Sequence, residues 1–274
     1  MTATSTTTKR LMLQRSLGTS IRGLCRSAYR FVFPPTCPLC HNEVDSASCE
    51  VDHQFVTPIL CESCSTEIIP PPGNRCLRCG VSLGPYVSSE QGCPMCQSQQ
   101  YRFGRVIRLG TYEGLLRDAC IRGKASHTQP VSAALANLLW LNERAAFEES
   151  QLDFVAPVPR YWTRRLTQEH HQAETVSRVL SRRLRVPHAR TLLHKTRLTP
   201  DQSELTATQR KQNLRGAFSV SWFGRHKIEG KTILLVDDIL TTGTTVNECS
   251  QTLLKAGARQ VIVAAIAVVP PIRR

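Results

Sequence analysis

Two adjacent carboxylates, Asp237 and Asp238, stand between an apolar run, Ile233-Leu-Leu-Val236, and a small hydroxyl-rich stretch, Thr241-Thr242-Gly243-Thr244-Thr245. Each part has a chemical use. Paired carboxylates bind diols and divalent cations. Short residues let backbone N–H groups wrap an anion, and Thr hydroxyls add donors to phosphate oxygens. A helix starting near Thr244 would point its positive end at the same anion. A ligand carrying both a phosphate and a diol fits such a site, and ribose 5-phosphate is one.

The second constellation is sulfur. Eight of the 12 cysteines form four Cys-x-x-Cys pairs: Cys37/Cys40, Cys61/Cys64, Cys76/Cys79 and Cys93/Cys96. Two thiolates with this spacing bite one metal, and two pairs close a tetrahedral site. Two structural zinc sites, each of four cysteines, are therefore expected. Sequential pairing is favoured, with an interleaved arrangement as the alternative. The Pro/Gly-rich sequence between the pairs buries little, so metal should supply the folding energy. Disulfides would need an oxidising compartment, and nothing resembling a secretory h-region precedes the cysteines. A cytoplasmic protein is expected. Cys25, Cys49, Cys120 and Cys249 are isolated.

Elements must place these groups. Four uninterrupted apolar residues at 233–236 predict a parallel strand covered on both faces, with the two Asp following at its end. A helix is expected from 244 to 255, stopped by Gly257, then a strand from Val261 to Val269. Upstream, strands are expected at 101–112 and 153–159, and helices at 114–122, 130–147 and 173–184. Segment 191–218 reads as polar and basic. Alternating strands and helices predict an α/β fold with a mostly parallel sheet. Three regions are expected: 1–30, a Ser/Thr-rich start and basic amphipathic helix; 31–100, the double zinc-ribbon module; and 101–274, the α/β domain that carries the phosphate motif.

Charge is uneven. The chain has 274 residues and a net charge of +14, yet residues 1–100 carry 8 basic and 7 acidic side chains. Residues 160–215 carry 13 basic and 4 acidic ones. That field favours polyanions, either a pyrophosphate or a nucleic-acid backbone. Aromatic residues make up 6%, which gives little for a base-stacking platform. No apolar run approaches the roughly 20 residues that span a bilayer. Residues 10–33 put Leu17, Ile21, Leu24, Ala28 and Phe31 at helical spacing beside four arginines. That pattern suits a helix packed on the neighbouring domain, a transit peptide or a membrane-surface helix.

The stretch 233–245 closely resembles the 5-phosphoribosyl-1-pyrophosphate (PRPP) motif of type I phosphoribosyltransferases. That resemblance implies that Asp237 and Asp238 face the ribose hydroxyls and a Mg²⁺ ion. It also implies that Thr241, Thr242, Gly243, Thr244 and Thr245 hold the 5-phosphate. Together with the cysteine pairs, the layout resembles the ComF family, which is associated with DNA uptake in competent bacteria. The likeness covers about residues 31–270. It includes Pro34-Pro-Thr-Cys37, Tyr112-Glu-Gly114, Pro157-Val-Pro159 and Gln172-Ala173, and the set Thr199, Gln202, Leu205, Arg210, Asn213, Gly216, Ala217 and Phe218.

By that resemblance, 157–165 forms the pyrophosphate-side loop, with Arg160, Arg164 and Arg165 as phosphate partners, and 195–215 closes over the ligand. A nucleobase-like acceptor is the implied second substrate. Single-stranded DNA binding is the alternative role, and an oligomer is compatible with either. The chain departs from the family pattern at Gln168-Glu-His-His171 and at Lys124-Ala125.

Overall fold

The computed structural model describes residues 35–44, 58–70, 73–87, 92–97, 99–125, 128–161, 171–198 and 212–270. The predicted N-terminal helix, Cys25, Cys49, Arg164, Arg165, His170, Thr199, Gln202, Leu205 and Arg210 lie outside them.

Among the described residues, four parallel strands form the central sheet. In chain order they are β1 (Val106–Thr111), β2 (Phe154–Pro157), β5 (Thr232–Leu240) and β6 (Gln260–Val268). In space the order is β1-β6-β5-β2. A parallel bridge between Val155 and His188 extends the edge beyond β2. The strands read as apolar runs because both faces are covered. On β5, Leu234 and Val236 enter one core, while Ile233 and Leu235 enter the other.

The first core is covered by α2 (Gly114–Arg122), α3 (Gln129–Asn142), α4 (Arg144–Glu148) and α5 (Gln172–Leu184). The second is covered by α7 (Thr244–Lys255) and a hairpin of β3 (Leu193–Lys195) and β4 (Phe218–Val220). A short α6 (Trp222–Arg225) follows that hairpin. The helix expected over 130–147 is two helices. It breaks at Glu143, whose carboxylate is drawn into an ion pair with Arg75.

The cysteine segment packs on this sheet. A one-turn-plus helix, α1 (Glu62–Ile68), starts right after Cys61. Leu39, Leu60 and Ile68 join the core of α2 and α3. Farther along, Gly80 sits so close to the sheet that an added Cβ would lie 2.9 Å from Val106 and 3.1 Å from Val268. The backbone N–H of Val106 donates to Leu77 O at 2.8 Å.

Candidate functional site

β5 is longer than four apolar residues suggest. It runs to Leu240, pairing with β6 throughout, so Asp237 and Asp238 lie inside the strand rather than after it. The cause is the partner strand, whose apolar residues from Val261 onward offer ladder hydrogen bonds past the last apolar residue of 233–236. Strand alternation then puts the two carboxylates on opposite faces. Asp237 shares the side of Ile233 and Leu235, and its charge acts on Cys249 of α7. Asp238 shares the side of Leu234 and Val236, and its charge acts on Tyr112 and on Cys120 of α2.

The electrostatics follow. Burial pushes the Asp237 carboxyl well above the usual range, and the neighbouring Asp238 charge pushes it further. Arg160, just past the end of β2, pulls the other way. Burial, then Asp238, raises the Cys120 thiol to about 12. Burial, with Asp237 adding to it, holds the Cys249 thiol far above its usual range. Both sulfurs are inert thiols in the walls of the site.

Beyond Leu240 the chain turns through Thr241 and Thr242, both exposed, to Gly243. The N–H of Val269, just past the end of β6, donates to Leu240 O at 2.8 Å where the turn begins. Gly243 takes a left-handed conformation, φ +70°, and stands at the N-cap of α7. Its carbonyl accepts from Asn247 N at 2.9 Å. The Thr242 and Thr244 hydroxyls are 2.8 Å apart, a spacing that one phosphate oxygen can bridge. The first amides of any helix lack intrahelical acceptors, so this turn presents donors and a positive helix end. Asp237, Asp238, Arg160 and residues 241–245 therefore all lie toward the carboxyl ends of β5 and β2, with the two carboxylates on opposite faces of the sheet.

The cysteines form two clusters, Cys37/Cys40/Cys61/Cys64 and Cys76/Cys79/Cys93/Cys96, with sulfurs within 4.8 Å of one another in each. This is the sequential pairing, and the interleaved alternative is excluded. Individual sulfur pairs stand at 3.4 Å for Cys40 and Cys61, 3.5 Å for Cys79 and Cys93, and 3.7 Å for Cys76 and Cys96. A tetrahedron with metal–sulfur bonds of about 2.3 Å has edges of about 3.8 Å. These separations fit a metal and are far from the roughly 2.0 Å of a disulfide. Burial raises the Cys37 and Cys76 thiols, but backbone N–H groups outweigh it and bring both to about 7.

Sequence reasoning missed several residues at the site. Tyr101 and Phe103 stack at 4.7 Å and lie 3.6 and 3.9 Å from where a Cβ on Gly243 would be. The β3–β4 pairing, within a segment read only as polar and basic, brings Lys195 toward Cys249 beside Asp237. Three-residue strands carry too short an alternation to be read. His171, within the departure from the family pattern, lies 3.6 Å from the Glu174 carboxylate.

Comparison with known proteins agrees with this geometry. The phosphoribosyl transferase domain family matches residues 171–271. Competence protein F of Haemophilus influenzae is 32% identical over 205 residues, covering 74% of this chain and 87% of its own. The DNA utilization protein YhgH of Escherichia coli is 30% identical over 189 residues, covering 68% and 80%. A phosphoribosylpyrophosphate synthetase from Mycobacterium smegmatis overlays 48% of this chain and 33% of its own, with 22% identity and a TM-score of 0.32. No helix among the described residues is long and apolar enough to cross a membrane. With a relative 32% identical and matched along most of its length, the chain belongs to the ComF family of phosphoribosyltransferase-domain proteins.

Proposed function

We propose that the protein binds PRPP with Mg²⁺, transfers its phosphoribosyl group to a nucleobase-like acceptor, and serves DNA utilisation as its relatives' names suggest. The observation that carries this reading is the succession, at the carboxyl end of β5, of two carboxylates, one on each face, and a hydroxyl-lined helix start. Residues 241–245 would anchor the 5-phosphate through backbone amides and Thr hydroxyls. Asp237 and Asp238 would hold the ribose hydroxyls and the metal's water shell from the two sides of β5.

The donor set suits Mg²⁺, a hard cation that takes carboxylate and water oxygens. A cation beside them would also offset the repulsion that Asp238 exerts on Asp237. When bound, Mg²⁺ would supply charge neutralisation of the pyrophosphate. Arg160, with Arg164 and Arg165, would receive the departing pyrophosphate through planar, two-pronged hydrogen bonds as positive charge builds at the sugar C1. The two cysteine clusters would each hold a structural zinc ion. The three-region division at 31 and 101 belongs to the same proposal, as does a cytoplasmic location.

Titration calorimetry with PRPP and Mg²⁺ tests this directly. Wild type should bind, and Asp237→Asn/Asp238→Asn should not. No binding by folded, metal-loaded wild type would overturn the reading.

A second reading has its own observation. A groove of about 440 Å³ is lined by Arg215, Arg225 and Lys255, with Glu248 as its one acidic residue. This basic groove supports single-stranded DNA as a partner, with the phosphate site regulatory. DNA affinity that falls steeply with salt, and that drops in Arg215→Ala/Arg225→Ala, would favour it. A salt-independent signal would sink it.

A further inference from the structure

The second cysteine cluster and the turn before α7 share a wall. Tyr101 packs on Cys76, Cys79, Cys93 and Cys96 together with Val81 and Leu83. The same residue packs with Phe103 and the α7-side core. From within the cluster's first knuckle, Arg78 places its guanidinium 5.9 Å over the Tyr101 ring and donates to Gln99 O at 2.8 Å. On its other side, the Tyr101 ring backs Gly243. Next to it, the N–H of Arg102 donates to Asn247 Oδ1 in the first turn of α7, at 2.7 Å. The turn at 241–243 thus has a back wall made of residues 101–103, and that wall is fastened to the cluster. The first cluster stands elsewhere. Cys37, Cys61 and Cys64 pack in the core of α2 and α3, on the opposite face of the sheet.

We propose that the second tetracysteine cluster, acting through Tyr101, Arg102 and Phe103, is the positioning element of the turn at 241–245, so that its metal occupancy sets the readiness of that turn to take a phosphate. This rests on the phosphate-binding reading above. A turn of small residues with a left-handed glycine opens easily unless it is held. Phosphate binding by backbone amides needs those amides fixed in advance. Contact from behind leaves the ligand side free. A tetracysteine knuckle draws its folding energy from its metal, so losing the metal loosens the wall. The chain therefore has two metal sites with different duties, and only the second bears on the ligand.

Full-length Cys93→Ser and Cys40→Ser proteins are compared with wild type for metal content, amide hydrogen exchange over 241–247, and PRPP·Mg²⁺ affinity. Each should lose one metal. Exchange in 241–247 should quicken about tenfold in Cys93→Ser and stay at the wild-type level in Cys40→Ser. Unchanged exchange in a folded Cys93→Ser protein, or equal acceleration in both variants, overturns the proposal.

If Cys93→Ser does not fold, Tyr101→Ala and Tyr101→Phe decide, with both metals retained. The Ala variant should loosen 241–247 and weaken PRPP binding, and the Phe variant should restore both. Indistinguishable Ala and Phe variants overturn it. If wild type binds no PRPP, the phosphate reading falls, while the exchange comparison still decides the coupling.

Discussion

At the scale of single residues, Asp237 is the costliest side chain of the site. Its folded pKa lies above its unfolded value, so the folded state holds more protons between the two. Stability is then fully present below the unfolded pKa and falls as pH rises through the folded one. Asp237→Asn should remove that loss. The ligand-free variant should melt above wild type at neutral pH, each kcal/mol being worth about 2–4 °C in a domain of this size. The same substitution should abolish PRPP binding. Calorimetric melting with and without ligand checks both halves. Binding of PRPP·Mg²⁺ to wild type should release a proton, because the cation favours the ionised carboxylate. Calorimetry in buffers of different ionisation enthalpy measures that release, and its absence in Asp237→Asn assigns it.

At the scale of elements, two of the features that join the cysteine segment to the rest of the fold can be tested singly. The first is Gly80, with φ +78° and no room for a side chain against Val106 and Val268. Gly80→Ala should destabilise by about 1–3 kcal/mol, as overpacking plus left-handed strain demands. Gly84→Ala, where nothing lies within 4 Å, should be near neutral. Paired urea melts check this.

The second feature is Glu143. It takes Arg75 in a two-pronged ion pair, and its charge also acts on Arg108, a β1 residue that is 3% exposed. Glu143→Ala leaves two arginines uncompensated. It should cost about 2–4 kcal/mol, somewhat below a fully buried pair because Arg75 is partly solvated. Urea unfolding of that variant measures it.

The sequence showed some of these elements and hid others. The apolar runs of β5 and β6 and the Gly257 stop of α7 were readable because burial on both faces leaves no polar residue to confuse them. The β5 extension through both carboxylates was not, because pairing with β6, rather than side-chain pattern, carries it. The break at Glu143 was hidden for a related reason. Its partner, Arg75, is 68 residues away, beyond any local pattern. Cysteine spacing predicted the clusters but not their different neighbours.

At the scale of the whole molecule, the sheet is ordered so that its first strand waits for its last. β1 pairs with β6 alone among the described strands, joining Val106 to Val263 and Thr111 to Val268. β2 in turn waits for β5. Such non-local pairing folds slowly, because loop closure precedes the contacts that reward it. During synthesis, the cysteine clusters leave the ribosome before the strands of the sheet. Meanwhile β1 and the apolar faces of α2 and α3 stay without a sheet until the final strand emerges. Nascent chains are thus half-built for most of their translation, with the cysteine clusters made and the strand that carries Asp237 and Asp238 still missing. Such a chain should lean on chaperones, and a stop codon even a few residues before Val268 should send it to proteolysis rather than leave a weakened protein behind.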